Sequence, residues 1–598
     1  MKALIFNSGL GSRMGELVEN KHKCLLKLNN GETILHRQIR LLSECGIKEF
    51  IITTGPFKDQ VVSETMTFKD LKFTFVENKE YKNTNYIVSM NYAKEYLDDD
   101  CLLLHGDLVF NKNLVIKVLN SPEKNICLYH EDKELPEKDF KGRFLGNLLK
   151  EVSVSIFDEN CYAFQPFYKL DRETLSIWNK EVENFVENGI TKVYAEDALN
   201  KVTNRMSIVG MSYKEDYMDE IDNESDYKRV LDEIQYYDDR EQVIEETNYY
   251  SRSLSKYIDR YEKIFLVCGK HLLNDVREEL GEYHITYFSD FSPNPNYEDI
   301  KKGTKQFVAG KYQKIISIGG GSSIDVAKCI KIFSTLDGEL DFLEQKYNYN
   351  DILHIAIPTT AGTGSESTKF AVIYYNGKKI TIEHQTLLPQ IVIMDDTWLE
   401  TLPEYQRKST MLDSLCQAIE SFWSKKTTKH SIEYSKKSIE ITLSNYCKYL
   451  HNHKESFKAM MEASNLSGKA INITKTTAPH SMSYILTTKY GISHGHAVAC
   501  CLIPCWKKLY EMCEHREDVY IVLLELAQAL GFEDIPSSIN CIERLINDLN
   551  LPQIDIKKGD IDELVSSVNV ERLNNNPIIF DNQILKELYY KISSNNGY

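Results

Sequence analysis

The chain has 598 residues, of which 42% are hydrophobic and 27% are charged. This length predicts roughly three or four domains with cores of their own, and the composition excludes a disordered protein. The net charge of −17 opposes contact with a phosphate backbone, and no local basic stripe offsets it, so we expect no nucleic-acid partner.

The apolar runs of the sequence are short. None approaches the roughly 20 residues of a membrane span, so we expect no membrane insertion. The first run, Lys2 to Phe6, reaches the polar Asn7 too early for a secretory signal. The 14 cysteines lack the paired spacing of metal sites and are interpreted as reduced thiols. These features predict a cytoplasmic protein.

Short apolar runs alternate with amphipathic helical patterns over residues 1–235. Strand patterns occur at Lys2 to Phe6, Phe50 to Thr54 and Leu102 to Leu104. Such alternation predicts an α/β domain with a parallel sheet wrapped by helices. An acidic, tyrosine-rich segment follows, and we interpret residues 236–252 as a linker or a solvated helix.

A second alternation of strand and helix patterns begins near Lys263 and ends near Met394. It predicts a second α/β domain over residues 253–396. After Pro403 the strand patterns fade and long helical patterns continue, which predicts an all-helical domain over residues 397–598. The two α/β parts carry different glycine loops and are not an obvious duplication.

A glycine loop follows the first predicted strand. It contains Gly9, Gly11 and Arg13, and Lys23 lies shortly after it. Glycines let the backbone present N–H groups to phosphate oxygens, and the two cations can neutralise a triphosphate. A simple turn between strand and helix would also explain the glycines.

Two aspartates further along the chain are candidate magnesium ligands. Asp107 follows the apolar run Leu102 to Leu104, and Asp222 ends the motif Glu220-Ile221-Asp222. Mg²⁺ prefers oxygen ligands and keeps several waters. The simpler alternative is that Asp107 ends a strand and Asp222 caps a helix.

These residues resemble the sugar-phosphate nucleotidyltransferases, whose first motif is a Gly-x-Gly-x-Arg-Met loop followed by a lysine. His22 stands where that family usually has a proline. The resemblance covers about the first 230 residues and is greatest for the branch that activates phosphocholine and aminoalkylphosphonates with CTP. Further matching positions are Asn78, Tyr81, Thr84-Asn85, Gly106-Asp107-Leu108-Val109-Phe110, Leu135-Pro136-Glu137-Lys138-Asp139-Phe140-Lys141 and Glu220-Ile221-Asp222.

The resemblance implies a Rossmann-like fold in which a phosphate or phosphonate oxygen attacks the α-phosphorus of CTP and pyrophosphate leaves. UTP stays open as the nucleotide. For Lys138 and Lys141, ordinary solvated lysines are the alternative. The implied site residues are Gly9 and Gly11 for the nucleotide, Arg13, Lys23, Asp107 and Asp222 for catalysis, the two aspartates also for Mg²⁺, and Lys138 and Lys141 for the substrate.

A second glycine turn follows the strand pattern Lys314 to Ile318. Gly319, Gly320, Gly321 and Ser322 then open an amphipathic helix. A pyrophosphate at this helix N-terminus would meet free N–H groups and the positive end of the helix dipole. The spacing differs from the usual dinucleotide fingerprint, so a generic phosphate loop remains an alternative.

Together with the run Pro358 to Glu366 and with Pro293-Asn294-Pro295, this turn resembles the iron-containing alcohol dehydrogenases. The resemblance implies a dehydroquinate synthase-like enzyme with an α/β dinucleotide-binding domain and an all-helical metal-binding domain. It also implies a homo-oligomer assembled through the dehydrogenase part. The implied cofactor residues are Gly269, Gly319, Gly320, Gly321 and Ser322, the last four at the pyrophosphate, with Thr359, Thr360 and Thr363 near the nicotinamide.

The first strand of this domain bears on the choice between NADH and NADPH. Many NAD-preferring relatives have an aspartate after it, which repels a 2′-phosphate. Here Ile264 to Val267 is followed by Cys268, Gly269 and Lys270. With no carboxylate and a nearby lysine, NADPH should be accepted, with NADH as the alternative.

Four residues suggest a metal site. Asp413 and Gln417 are four apart and share a helix face, and His480 and His494 are fourteen apart. In the family, an aspartate and three histidines bind the metal, so Gln417 replaces a histidine. An amide oxygen is a weaker donor, and Fe²⁺ or Zn²⁺ would fit. The alternative is two histidines satisfied by hydrogen bonds in the core.

The proton donor and the substrate ligand each have more than one candidate interpretation. Many relatives have a histidine four residues after His480, where this chain has Tyr484. Tyr484, His496 or a cofactor hydroxyl are the candidate donors. The stretch from Gly468 to His480 resembles phosphonoacetaldehyde reductases, which makes Lys475 a candidate phosphonate ligand or, alternatively, an exposed lysine.

The two resemblances predict a bifunctional enzyme of phosphonate biosynthesis. The rear part would reduce phosphonoacetaldehyde to 2-hydroxyethylphosphonate, and the front part would couple this phosphonate to CMP from CTP. One alternative keeps both reactions but makes CDP-glycerol or another CDP-alcohol from a keto- or aldehyde-phosphate. A second alternative is a dehydrogenase regulated by an inactive nucleotide-binding front domain.

Overall fold

The structure, a computed structural model, describes residues 1–9, 14, 18, 21–28, 31–214, 216–239, 242–347, 350 and 352–594. Gly11 and Arg13 of the predicted nucleotide loop lie outside these residues. The chain folds as two compact units, a front unit, Met1–Glu241, and a rear unit, Gln242–Tyr598. The finer division at residues 235, 252 and 396 stays a prediction.

The described residues of the front unit form eleven strands and seven α-helices. The strands are β1 (Lys2–Asn7), β2 (Glu49–Thr54), β3 (Lys72–Glu77), β4 (Cys101–His105), β5 (Leu108–Phe110), β6 (Ile126–His130), β7 (Lys141–Leu145), β8 (Leu148–Ser153), β9 (Cys161–Leu170), β10 (Val209–Ser212) and β11 (Met218–Glu220). The helices are α1 (Ile34–Glu44), α2 (Lys58–Thr65), α3 (Tyr86–Ala93), α4 (Lys112–Asn120), α5 (Arg172–Glu187), α6 (Ala195–Val202) and α7 (Glu224–Asp239).

Nine of these strands form one sheet in the order β3-β2-β1-β4-β9-β6-β10-β8-β7. The half from β3 to β4 is parallel, as the alternation of strands and helices predicts. The other half is mixed, because β9 runs antiparallel to both β4 and β6. The predicted parallel sheet is therefore confirmed for the half from β3 to β4, and the other half departs from it.

Strand β1 shows why the parallel half has continuous apolar runs. Ala3 and Ile5 belong to a core on one face of the sheet, and Leu4 belongs to a core on the other. Helices cover both faces, so the consecutive residues Ala3, Leu4 and Ile5 are all buried. The carboxyl ends of β1 and β4 lie side by side, with Phe6 paired to His105.

The rear unit begins with an α/β part. Its elements are β12 (Val243–Thr247), α8 (Tyr250–Leu254), β13 (Ile264–Cys268), α9 (Leu273–Glu279), β14 (Ile285–Phe288), α10 (Tyr297–Gly310), β15 (Lys314–Gly319), α11 (Gly321–Phe333), β16 (Leu353–Pro358), β17 (Phe370–Tyr375), β18 (Lys378–Glu383) and β19 (Ile391–Asp395). Six strands form a parallel sheet in the order β12-β19-β16-β15-β13-β14, and β17 and β18 form a separate antiparallel hairpin.

Strand β12 lies within residues 236–252, predicted as a linker or a solvated helix, and it corrects that prediction for Val243 to Thr247. Val243 to Thr247 pair in parallel with β19 at the edge of the sheet. Only Val243 and Ile244 are apolar among these five residues, because an edge strand is only partly covered. The sequence of this strand therefore lacks the apolar run from which the other strands were predicted.

The rest of the rear unit is helical, as predicted. Its helices are α12 (Glu404–Trp423), α13 (Lys429–Leu450), α14 (Phe457–Thr474), α15 (Ala478–Tyr490), α16 (His494–Met512), α17 (Glu517–Ala529), α18 (Ile535–Asp548), α19 (Ile561–Ser566), α20 (Val570–Asn574) and α21 (Asn582–Ser594). Helix α12 packs against α13, α14 and α16 in the largest core of the protein. None of the described helices combines the length and apolarity that a bilayer span requires.

Two candidate active sites

A cavity of about 430 Å³ lies at the carboxyl ends of β1 and β4 in the front unit. Parallel strands of an open α/β sheet commonly place ligands at this edge. The cavity brings together most of the residues predicted for the nucleotide site. Those that line it are Gly9, Lys23, Asp107, Lys138 and Asp222.

Lys23 joins the two predicted magnesium ligands. Its Nζ atom donates to Oδ1 of Asp222 at 2.9 Å and forms an ion pair with Asp107. Burial works against the charge of the ammonium, but the two carboxylates prevail and raise the pKa of Lys23. Burial likewise opposes ionisation of Asp107, yet Lys23 holds the pKa of this carboxyl below its usual value. The site therefore carries one cation between two anions.

Two further side chains, which the sequence interpretation did not select, complete an acidic cluster. Ligand-type atoms of His105, Asp107 and Glu220 all lie within 4.8 Å of one another. Burial, reinforced by Asp107, raises the pKa of Glu220 well above its usual value, and burial lowers the pKa of His105 to about 4. Strand β11 pairs Glu220 with Leu108, next to Asp107. The motif containing Glu220 was visible in the sequence, but this register was not.

Several buried polar atoms of the cavity wall have no hydrogen-bond partner among the described residues. They are the amide oxygen and nitrogen of Asn7, Nε2 of His105 and Oδ1 of Asp107. Each unsatisfied buried polar group costs about 1–3 kcal/mol. Gly106 leaves room for Asn7, since a Cβ atom there would lie 1.7 Å from its Oδ1. This wall fits a polar ligand with a bound cation.

The two lysines predicted for the substrate have different positions. Lys138 is exposed and lines the cavity. Lys141 does not line it: its Nζ atom donates to the carbonyl oxygens of Pro136 at 2.7 Å and Val154 at 2.6 Å. The structure therefore corrects the assignment of Lys141, which ties backbone segments together.

Tyr86, another residue of the cavity wall, is held by a buried glutamate. The hydroxyls of Tyr86 and Tyr168 both donate to the carboxyl group of Glu196, which is 1% exposed. Burial raises the pKa of Glu196 to about 8. The folded front unit therefore retains a proton on this group at neutral pH, while the unfolded chain has lost it.

This difference predicts how the stability of the front unit depends on pH. Between about pH 4.5 and 8 the folded state binds more protons than the unfolded state, so Glu196 makes stability fall by up to about 1.4 kcal/mol per pH unit as pH rises. The substitution Glu196→Gln should remove this component. Hydrogen-exchange mass spectrometry of peptides from residues 161–202 should show protection that falls less steeply from pH 5 to 8 than in the wild type. Glu187→Gln, at an exposed position, should keep the wild-type slope.

A second cavity, of about 230 Å³, lies in the rear unit between the glycine turn and the helical part. The turn contributes Gly321 and Ser322, and Thr363 comes from the loop after β16. The helical part contributes the predicted metal residues and Tyr484. Those that line the cavity are Asp413, Gln417, His480 and His494.

Three of the predicted metal ligands converge. Asp413 lies on α12, His480 on α15, and His494 is the first residue of α16, with their ligand atoms within 4.8 Å of one another. Gly495 permits this approach, because a Cβ atom there would lie 1.9 Å from the carbonyl oxygen of Ser409 on α12. Carboxylate and imidazole donors at these distances fit Fe²⁺ or Zn²⁺.

A buried glutamate on α12 orients His480. Glu420 accepts a hydrogen bond from Nδ1 of His480 and, at 2.8 Å each, from the backbone N–H and the hydroxyl of Thr477. Burial opposes protonation of His480, but Glu420 and Asp413 raise its pKa to about 9. Nε2 is left facing Asp413, 3.3 Å from its Oδ1. The spacing of Asp413, Gln417 and Glu420 on one helix face could have indicated Glu420.

His494 differs from His480 in charge. Burial lowers the pKa of His494 to about 3, so its imidazole is neutral and its lone pair is free to coordinate a metal. The ring of Tyr484 stacks on it at a centroid distance of 5.8 Å. Burial raises the pKa of Tyr484, which keeps the phenol protonated.

Gln417, the predicted fourth ligand, presents its nitrogen to the cluster. Nε2 donates to Oδ1 of Asp413 and to the carbonyl oxygen of Thr363, at 3.2 Å each. Oε1 accepts a hydrogen bond from Ser467 at 3.1 Å. Because only the amide oxygen can coordinate a metal, this orientation corrects the prediction: Gln417 supports Asp413, and three ligands remain.

The two predicted cofactor loops lie against each other. A Cβ atom at Gly320 would lie 3.4 Å from Oγ1 of Thr360, and one at Gly321 would lie 2.9 Å from Oγ1 of Thr363. The remaining predicted residues occupy the carboxyl ends of neighbouring strands outside the cavity wall. They are Gly319 on β15, Thr359 after β16 and Gly269 after β13.

Two further predictions are corrected. His496 does not line the cavity, and its Nδ1 lies 3.0 Å from the hydroxyl of Tyr405, so the structure does not support it as a proton donor. Lys475 also lies outside the cavity wall, and its Nζ donates to Glu383 at 2.6 Å.

The cations that do line the rear cavity are Lys379 and Arg572. Lys379 lies on the β17–β18 hairpin and Arg572 on the short helix α20. Neither cation was predicted from the sequence, because neither belongs to a glycine loop or to the metal motif. No local pattern brings these two distant segments together.

Both units of the chain match known protein families. Residues 243–396 match the iron-containing alcohol dehydrogenase family, and residues 408–593 match the C-terminal domain of that family. Residues 3–161 match the MobA-like NTP transferase domain.

Among individual proteins, the chain is 28% identical over 262 residues to aldehyde-alcohol dehydrogenase 2 of Entamoeba histolytica. It is 27% identical over 208 residues to phosphonoacetaldehyde reductase of Streptomyces viridochromogenes. These alignments cover 40% and 32% of the chain, and 30% and 52% of the relatives. The chain thus spans less than two thirds of either relative.

Solved structures share the fold of the rear part. Sulfoacetaldehyde reductase of Bifidobacterium kashiwanohense in complex with NAD⁺ is 24% identical, with a TM-score of 0.54, over 59% of this chain and 97% of that one. An iron-containing alcohol dehydrogenase of Thermococcus thioreducens is 21% identical, with a TM-score of 0.55, over 59% and 98%.

Proposed function

The chain combines an iron-containing alcohol dehydrogenase with a MobA-like NTP transferase domain, and from this premise we propose that it catalyses two consecutive steps of phosphonate biosynthesis. The rear site reduces phosphonoacetaldehyde to 2-hydroxyethylphosphonate with NADPH or NADH. The front site transfers CMP from CTP to the phosphonate and releases pyrophosphate. The observation that carries the proposal is a rear cavity holding both the Asp413–His480–His494 cluster and two cations.

In the rear site, Asp413, His480 and His494 would hold the metal, and Gly319 to Ser322 with Thr359, Thr360 and Thr363 would hold the dinucleotide. When bound, the cation would polarise the aldehyde and the reduced nicotinamide would supply hydride to its carbonyl carbon. Glu420 fixes the ring of His480 so that Nε2 faces the cluster.

The proton that completes the reduction is assigned to Tyr484. Its ring lies against His494, and its phenol is protonated at neutral pH. Transfer of this proton to the carbonyl oxygen yields the alcohol, and solvent restores the phenol.

In the front site, Asp107 and Asp222 would hold magnesium, which would offset the charge of the triphosphate. A phosphonate oxygen then attacks the α-phosphorus, the bond to the β-phosphate breaks, and pyrophosphate leaves. Lys23 is placed to neutralise phosphate charge once these carboxylates turn to the metal. Lys138 stays assigned to the substrate, and Gly9 to the nucleotide.

Two observations bear on the alternatives. The ion-paired Lys23, Asp107 and Asp222 in a polar cavity disfavour an inactive front domain. A phosphate-ester substrate has the same charge as a phosphonate, so a CDP-alcohol product is separated only by experiment. The cytoplasmic location and the homo-oligomer stay predictions.

Phosphorus NMR of the purified protein with NADPH, CTP, Mg²⁺ and phosphonoacetaldehyde tests the proposal. We expect loss of the aldehyde signal, then a mixed phosphonate–phosphate anhydride and pyrophosphate. A parallel sample with dihydroxyacetone phosphate should react slowly or not at all. A fast reaction there, with no anhydride from the phosphonate, would replace the proposal with the CDP-alcohol alternative.

A further inference from the structure

We propose that Arg572 and Lys379 form an anion clamp that binds the phosphonate group of the rear substrate and selects dianionic aldehydes over neutral ones. The inference rests on the proposed function of the rear site and adds the residues that recognise its substrate. It also replaces Lys475, whose ammonium is paired with Glu383.

Arg572 is a buried cation with an unsatisfied donor. The residue is 5% exposed, and its Nη1 atom has no hydrogen-bond partner among the described residues. The guanidinium lies 5.3 Å from the ring centroid of Phe370, which also lines the cavity. Buried arginines are almost always paired, because an unpaired charge removed from water is costly. A ligand in the cavity would supply the missing acceptor.

Lys379 is a second cation in the same cavity. Its Nζ atom lies 3.2 Å from the ring centroid of Tyr484, and it has no ion-pair partner among the described residues. Burial and the neighbouring Arg572 lower the pKa of Lys379 to about 7, and the carboxylates of Asp413 and Asp325 offset only part of this shift. A dianion bound there would restore full protonation.

The carboxylates that face these cations already have other partners. Asp325 accepts hydrogen bonds from the hydroxyl of Ser365 at 2.6 Å and from the backbone N–H of Val372 at 3.0 Å. Glu383 is paired with Lys475, and Asp413 faces the metal histidines. None of these three carboxylates forms an ion pair with Lys379 or Arg572 among the described residues, so both cations are available to a ligand anion.

The arrangement matches a short molecule with an anion at one end and an aldehyde at the other. Tyr484 lies between the anion clamp and the metal cluster, since its ring contacts Lys379 and also stacks on His494. The planar fork of a guanidinium suits two oxygens of one phosphonate, and an ammonium adds a third donor. The clamp would hold the aldehyde carbon toward the metal cluster.

Binding of phosphonoacetate, a dianion that cannot be reduced, tests the clamp by isothermal titration calorimetry on the full chain. Arg572→Met should weaken binding at least about 100-fold, Lys379→Met about 10-fold, and Arg572→Lys less than Arg572→Met. Arg544→Met, at an exposed position, should bind as the wild type does. If both methionine variants, folded by circular dichroism, bind within about threefold of the wild type, the clamp is wrong. If Arg572→Met does not fold, the affinity of Lys379→Met for phosphonoacetate decides: binding about 10-fold weaker than in the wild type supports the clamp, and binding within about threefold rejects it.

Kinetics separate the clamp from the proposed function. The ratio of kcat/KM for phosphonoacetaldehyde to kcat/KM for propionaldehyde should fall at least about 100-fold in Arg572→Met, with most of the loss in KM. A wild-type protein that binds phosphonoacetate through Arg572 but reduces neither aldehyde would keep the clamp and reject the reductase. A protein that reduces phosphonoacetaldehyde, but whose ratio of kcat/KM values changes in neither Arg572→Met nor Lys379→Met, would keep the proposed reductase and reject the clamp.

Discussion

Replacing Asp107 with asparagine is expected to lower cytidylyl transfer at least about a thousandfold while the same protein continues to reduce aldehyde. Asp107 belongs both to the ion pair with Lys23 and to the cluster with His105 and Glu220. The neutral amide lacks the negative charge that would hold magnesium at this position. Losing several kcal/mol of electrostatic stabilisation of the transition state lowers the rate about a thousandfold. The rate of pyrophosphate release with CTP, Mg²⁺ and 2-hydroxyethylphosphonate measures the loss of cytidylyl transfer.

A matched control tests whether the charge at this position is what matters. Asp132→Asn makes the same chemical change at an exposed residue that does not line the cavity, and it should transfer CMP at the wild-type rate. Retention of more than a tenth of wild-type activity in Asp107→Asn would show that the magnesium ligands lie elsewhere. Aldehyde reduction by both variants confirms that the rear unit is intact.

The parts of the fold that could be predicted are those buried on both faces of a sheet. In β1, Leu4 faces one core while Ala3 and Ile5 face another, so the strand appears in the sequence as a continuous apolar run. Strand β12 lies at a sheet edge and has no such run. The antiparallel placement of β9 depends on its pairing with β4 and β6, and alternation along the chain does not encode it.

The residues of the rear candidate site also fall into those that the sequence predicts and those that only the folded structure brings together. Asp413, His480 and His494 were predicted, because their spacing is a motif carried by three helices. The orientation of the Gln417 amide depends on Ser467 and on the carbonyl oxygen of Thr363, which come from other segments. Lys379 and Arg572 meet only because the β17–β18 hairpin and α20 fold toward one cavity. Sequence reasoning chose Lys475 because it lies beside the motif, and the structure pairs it with Glu383 instead.

Replacing Asp413 with asparagine is expected to remove the rear metal and to lower the rate of aldehyde reduction at least about a thousandfold. The carboxylate is the only anion in the three-ligand cluster and lies 3.3 Å from Nε2 of His480. An asparagine of the same shape offers a weaker, neutral donor, so affinity for a divalent cation falls and the aldehyde loses its polarising charge. Elemental analysis of the purified variant and the rate of NADPH oxidation with phosphonoacetaldehyde measure the two effects.

The outcome also decides whether the two sites work independently. Cytidylyl transfer to supplied 2-hydroxyethylphosphonate should continue in Asp413→Asn, because its residues lie in the other unit. Asp555→Asn, at an exposed position, should retain metal and both activities. A variant that keeps its metal and its reduction rate would remove Asp413 from the metal site. Loss of both activities in a folded protein would mean that the front reaction depends on the rear unit, since nothing in the front cavity has changed.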